Sequence, residues 1–259
     1  MSALHPLAAL LEPVGFAAFL VFLRAGAFCA LLPAFGEQTL PLRLRLSVAI
    51  AMTMITLPAV LPLMPPPPVQ ISQMGALLLT EIGAGLIFGL SLRLLVWALE
   101  TAGAIAAQSV GVAQIFGPGM TAEPSSAFSQ IFIMAGFALA CAMGLPVQAV
   151  AMMIGSYNVI SPGIFPAPDM LAQAILPGFS ESFSLAVRLA APFFIAGLLY
   201  NLTLGFVNRA MPQMMVTFVG APALTGIGIV LLLLASPVLL GIWVRALRAA
   251  FETPFGVAP

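Results

Sequence analysis

The row AMPQMMVTFVGAPALTGIGIVLLLLASPVLLGIWV, residues 210–244, holds 35 consecutive positions without one ionisable side chain. A helix that crosses a bilayer needs about 20 consecutive, mostly apolar residues, so this run has room for a complete span. Working outward, the same kind of gap recurs: 35 residues between Arg45 and Glu81, 45 between Glu123 and Asp169, and 20 between Arg188 and Arg209. Hydropathy and turn residues divide the chain into six segments, at 14–34, 46–64, 74–98, 127–154, 183–207 and 217–244. Strands of a membrane barrel alternate apolar and polar side chains over about 10 residues, and stretches such as Leu231–Leu234 or Ala76–Thr80 do not. The expected fold is all-α and of integral-membrane type, with about six long hydrophobic helices arranged as hairpins.

Composition excludes several classes of function. Of 259 residues, 62% are hydrophobic and 6% charged, against about a quarter charged in an ordinary soluble domain. All 8 basic residues are arginine. A chain this poor in charge cannot clothe a globule for water, which excludes a free soluble enzyme, and its hydrophobicity excludes disorder. Zero net charge without a basic cluster leaves no nucleic-acid footprint. His5 is the one histidine and lies outside the apolar segments, so no His-based triad or multi-histidine metal site can be built. Glu123 and Asp169 are isolated, and no Gly-rich loop carries a phosphate-binding lysine. No cofactor is expected. Cys29 and Cys141 sit in apolar segments, where a thiol acts as a small hydrophobe. No Lys or Arg precedes the first apolar run, so that run reads as a retained helix and not as a secretory signal.

Proline punctuates the connections. Pro58, Pro62 and Pro65–Pro68 end the second segment, and Gly155–Ser182 forms the longest linker, with Asp169–Leu176 as one short interfacial helix. The arginines divide four against three between the two sides, too evenly for the positive-inside rule to orient the chain. Inside the segments, Arg24 and Glu81 stand as costly charges, read as a neutralising pair, as a snorkelling side chain or as a proton relay. Arg93 has Trp97 four residues on, within reach of a cation–π contact, and Glu100 on the same face. Small residues recur at helical spacing: Gly85 and Gly89, then Gly103, Ala107 and Gly111, then Gly197, Asn201 and Gly205. Such stripes let backbones approach, and an Asn in one can bond across helices, whether the neighbour is this chain or another subunit. The many methionines read as adaptable fillers.

One stretch does not fit a simple bundle. QSVGVAQIFGPGMTAEPSSAFSQ, from Gln108 to Gln130, is broken by Gly111, Gly117, Pro118, Gly119 and Pro124. Irregular backbone at membrane depth is tolerated only where protein buries it or it lines a cavity. The stretch is either a plain surface loop or a re-entrant, plug-like element.

Three blocks carry a resemblance to a known family. PAFGEQTLPLRLRLSVAIAM resembles the early signature of the FliR family of bacterial flagellar export-gate proteins, through Pro33, Phe35, Gly36, Pro41, Arg43 and Arg45. EIGAGLIFGLSLRLLVWALETAGAIAAQSVG is similar to the family's third helix, through Glu81, Gly85, Gly89, Gly103, Gln108 and Gly111. NRAMPQMMVTFVGAP matches its most specific motif, through Asn208, Arg209, Pro212, Gln213, Phe218, Gly220 and Pro222. Two departures stand out: Glu123-Pro124 comes late where members carry Asp-Pro, and Ala223 and Leu224 follow Pro222 without a charge.

The resemblance implies a single export-gate domain over residues 1–259, packing into a multi-subunit gate in the bacterial inner membrane at the flagellar basal body. The implied partners are FliP-like and FliQ-like subunits, FlhB and FlhA, membrane lipid, and the unfolded rod, hook and filament proteins that pass. It implies no bond chemistry. The family's plug loop maps onto Val110–Phe128, with Gln108, Gly111, Gln114, Phe116, Gly117, Pro118, Gly119, Met120, Glu123 and Pro124 as candidate plug residues. Glu81, Gly85, Gly89 and Asn201 are candidate packing residues. The injectisome counterpart of the same gate is one alternative. A six-helix small-molecule transporter is another, although the two related halves it would need are not visible.

Overall fold

The computed structural model describes residues 4–37, 40–68, 70–111, 127–210 and 216–252, without the side chains of 4–12, 170, 173, 174 and 216–221. Its regular elements are helices: α1 (Leu4–Leu31), α2 (Leu42–Val60), a 3-10 turn (Leu61–Leu63), α3 (Ile71–Ser109), α4 (Ala127–Ala142), α5 (Leu145–Val159), α6 (Pro168–Ala210) and α7 (Val216–Glu252). No strand occurs among the described residues. Five stretches are long and apolar enough to cross a membrane: Pro13–Leu31, Leu42–Leu63, Ile71–Ser109, Ile175–Ala210 and Pro222–Glu252. The all-helical, membrane-type expectation therefore holds.

Local chemistry sets the boundaries. After α1 the chain turns at Ala34, whose φ of 65° is left-handed, and the Gly36 amide donates to the Leu32 carbonyl at 2.7 Å. Pro41, extended at φ −55° and ψ 139°, opens α2, where a missing N–H costs nothing. The helix runs on past Pro58 to Val60; Met64, extended at ψ 132°, then leads into the prolines. In α6, Asp169 lies in the first turn and Arg209 in the last, each matching the helix dipole.

Three expectations need correction. The segment 127–154 is not one helix: it breaks at Met143–Gly144, where Gly144 takes φ 79° and a proline opens α5. A left-handed residue followed by proline is a strong stop. The long linker 155–182 is mostly helix. α5 continues to Val159, and the stretch read as a separate interfacial helix is the beginning of the 43-residue α6, leaving only 160–167 between them. The third segment is also longer than expected, 39 residues from Ile71 to Ser109.

The chain divides into two compact units. Unit 1 comprises residues 1–93, 141–178 and 249–259; unit 2 comprises 94–140 and 179–248. In unit 1, α2 packs on α1 and on α5, and Leu20, Val21, Ala25, Phe28, Ala84 and Leu92 are buried. Cys29 Sγ lies 3.1 Å from Met52 Sδ. Both cysteines are free, Cys29 buried and Cys141 exposed. Unit 2 is built around aromatic side chains. Phe193, fully buried, meets Phe128 and Phe132 edge-on, with centroids 5.8 and 6.3 Å away, the favoured arrangement for aromatic quadrupoles. Trp243, also fully buried, donates its indole N–H to the Leu95 carbonyl at 2.8 Å. Gly136 makes room for its ring: a Cβ there would lie 3.5 Å from the indole and 2.5 Å from Leu99.

Candidate functional site

The Gly- and Pro-rich segment is held at both ends within unit 2. On the entering side, Val110 is fully buried and packs where a Cβ on Gly228 would lie, 2.5 Å from its Cγ2. Next to it, the Ser109 carbonyl abuts Gly197 so closely that no side chain fits between them. Gly111 follows at φ 70°, with its amide donating to the Gln108 carbonyl at 3.4 Å and its α-carbon facing Leu224. Only glycine takes that conformation without strain. On the returning side, Phe128 is buried against Phe193. Ser129, one residue on, donates its hydroxyl to the Glu100 carbonyl at 2.8 Å, and its backbone presses on Gly103. Both ends thus rest on glycines of the stripes read from the sequence.

In unit 1 the isolated charges meet. Arg24 Nε and Nη2 donate to the two carboxylate oxygens of Glu81, each at 2.9 Å, a bidentate pair between side chains with no exposed area. Nη1 reaches Ser156 Oγ at 3.2 Å and Nη2 the Ile160 carbonyl at 3.0 Å. The Tyr157 ring covers the guanidinium carbon at 3.7 Å, and its hydroxyl donates to Glu81 at 3.2 Å. A buried charge is tolerated when it is paired and hydrogen-bonded, and here each of the three guanidinium nitrogens has a partner, with four bonds from its five N–H groups. The arrangement is structural chemistry and holds no water-facing acid or base. Among the described residues, no three of His, Cys, Asp and Glu gather to hold a metal ion.

The remaining sequence candidates distribute as follows. Gly85 packs on the Arg24 carbonyl and Ala27, and Gly89 on Leu31 and the Phe28 carbonyl, so this pair joins α3 to α1 within the chain. Pro33 is buried, Phe35 half-buried, and Gly36 sits where a Cβ would come within 2.5 Å of the Ala30 carbonyl. Arg43 is exposed, while Arg45 is half-buried with its Nε unpaired. Arg93 pairs with Glu37 in the turn after α1, instead of with Trp97 or Glu100. Asn201 does not bond across helices: it is exposed and donates to the Gly197 carbonyl of its own helix at 2.9 Å. Gln108, Asn208 and Arg209 are exposed. Gln114, Phe116, Gly117, Pro118, Gly119, Met120, Glu123, Pro124, Pro212 and Gln213 lie outside the described residues. Phe218 and Gly220 fall in the first turns of α7, where side chains are not described.

Sequence reasoning missed Ser156, Tyr157 and the Ile160 carbonyl. The signal was present in the five donors of Arg24, more than one carboxylate satisfies, and in a Ser-Tyr pair at the end of an apolar helix. Phe193 and Trp243 carried no such signal among the other apolar residues.

Long apolar helices that bury a bidentate ion pair define a polytopic helical membrane protein. The family described as "Bacterial export proteins, family 1" matches residues 16–250. Similar proteins include the "Flagellar biosynthetic protein FliR" of Caulobacter vibrioides, 34% identical over 240 residues, which are 92% of this chain and 95% of the relative. The FliR of Aquifex aeolicus is 33% identical over 85% of each chain, and that of Bacillus subtilis 27% identical over 92% of this chain and 93% of its own. The chain belongs to this family of bacterial export proteins, the FliR family.

Proposed function

We propose that this chain is a core subunit of the flagellar type III protein export gate in the bacterial inner membrane, needed for flagellum biogenesis. The observation that carries the reading is similarity to flagellar biosynthetic proteins along nearly the full length, across both units. Residues 1–259 act as one functional domain. The chain joins FliP-like and FliQ-like subunits, with FlhB and FlhA nearby in the basal body. Together they form a gated pore for unfolded rod, hook and filament proteins. Its work is to nucleate the assembly and help close the pore, without bond chemistry. Val110–Phe128 serves as the plug, and the geometry at its ends supports this: a weakly charged, Gly-rich segment can move without breaking ion pairs, provided its ends are fixed. Deleting the gene abolishes flagella and the export of hook and filament proteins; flagellated, motile deletion cells overturn the reading. Shortening Val110–Phe128 makes the membrane leak ions while the gate still assembles, and unchanged conductance overturns the plug assignment.

A further inference from the structure

The contact of α1 with α3 in unit 1 is built from surfaces that repeat. Gly85 faces the Arg24 carbonyl and Ala27, and one turn further on Gly89 faces the Phe28 carbonyl and Leu31. The two helices run in the same direction here, since both partners advance by four residues. Slid by one turn, α1 would again offer backbone carbonyls and aliphatic carbon to glycines. In an apolar medium, dispersion between such seams discriminates weakly between neighbouring registers, and a step of four residues moves a helix by only about 6 Å.

One element of the contact does not repeat. Arg24 is the lone charged side chain between Pro13 and Leu31, and Glu81 is the lone one between Ile71 and Leu92. Their pairing is bidentate, at 2.9 Å for both bonds, and a one-turn slide separates the groups beyond hydrogen-bond reach. It would leave two charges buried and unpaired, the arrangement that is most strongly selected against in an interior. The same guanidinium also fixes the end of α5. It bonds Ser156 and the Ile160 carbonyl, the latter at the residue where the helix gives way to extended chain, φ −122° and ψ 98°. A single side chain therefore sets three helices against one another along their axes.

We propose that the Arg24–Glu81 pair is a register key: it selects one axial setting of α1, α3 and the end of α5 from others that pack about as well, and contributes little net stability. Buried ion pairs replaced by apolar groups of similar volume often leave a protein as stable or more so. What the replacement here should lose is uniqueness.

The test uses the full chain in lipid nanodiscs, with Cys29 and Cys141 changed to alanine. Spin labels go at Val14 on α1 and Leu86 on α3, both exposed and offset along the axes by about three turns, so that sliding changes their separation. With Arg24 and Glu81 present, pulsed dipolar spectroscopy should give one narrow distance. Replacing the whole cluster, as Arg24→Met, Glu81→Met and Tyr157→Phe together, should leave the chain folded with a second distance population displaced by about 6 Å. Moving the key by one turn, as Arg24→Leu with Phe28→Arg, should shift the main population by that amount. A single unshifted distance in the apolar variant overturns the proposal. So does failure of that variant to fold, because a key that only selects register is dispensable for folding when no charge is left unpaired.

Discussion

Gly197→Ala and Gly205→Ala place the same methyl group on one face of α6, two turns apart, and should act in opposite directions. At Gly205 nothing lies within 4 Å of the added Cβ, so the change acts mainly through helix propensity, worth about 0.8–1 kcal/mol in favour of alanine. At Gly197 the Cβ runs into the backbone carbonyl of Ser109. Neither side can yield by rotating a flexible group, since both atoms belong to helical backbone, so α6 must retreat. Overpacking of this kind costs about 1–3 kcal/mol, and a rigid neighbour puts the cost near the upper end. Retreat also loosens Val110, buried beside Ser109 and packed on Gly228. Set against the propensity gain, Gly197→Ala should lose about 2 kcal/mol. The two variants should then differ by about 3 kcal/mol, roughly a hundredfold in the folded-to-unfolded ratio at about 1.4 kcal/mol per decade. The assay is denaturation of the full chain in mild detergent by added SDS, followed by tryptophan fluorescence, which reports on buried Trp243 and exposed Trp97. Gly197→Ala at or above wild-type stability, or an equal loss at Gly205, refutes the close-packing argument.

Ala34→Gly should stabilise the chain by about 0.5–1 kcal/mol, because Ala34 sits at φ 65° where a Cβ is strained; a lowered SDS midpoint contradicts this. Phe193→Ala should cost about 3–5 kcal/mol, since the ring is fully buried between Phe128 and Phe132, with midpoint denaturation as the check. Glu37→Gln should cost about 1.5–3 kcal/mol, because Glu37 and Arg93 are only 23% and 21% exposed and their charge-assisted bond is mostly withdrawn from water. Double-mutant cycles with Arg93→Gln measure that coupling, and a value near zero would mean that water screens the pair.

Charge-free runs made the helices legible, because lipid admits few other backbones and a long apolar row has one common use. Their breaks were less legible. Gly144 before Pro146 looks like any small residue in an apolar row, and only its φ of 79° shows that the helix stops there. Pro177 misled in the other direction: it falls in the stretch 155–182 read as linker, yet lies inside α6, where its neighbours carry the helix on. At the candidate site, the cost of isolated charges left the pairing of Arg24 with Glu81 as one reading among several, and the bidentate geometry decides for it. Arg93 escaped the same logic, since a partner on its own helix is visible in sequence and Glu37, 56 positions away, is not. Asn201, on an exposed face, bonds the Gly197 carbonyl one turn back in its own helix, a local partner that the stripe pattern does not distinguish from one across helices.

The Arg24 cluster also sets a timetable. Its partners follow it in the chain by 57 residues at Glu81, 132 at Ser156 and 136 at Ile160. At about 5–20 residues per second, the first helix waits several seconds after synthesis for its carboxylate, and more than twice as long for the remaining acceptors. During that interval a guanidinium in an apolar helix has only water, headgroups or the insertion machinery to satisfy it. Burial of α1 at its final depth therefore belongs late in biogenesis, after α5 has emerged, although α1 leaves the ribosome first.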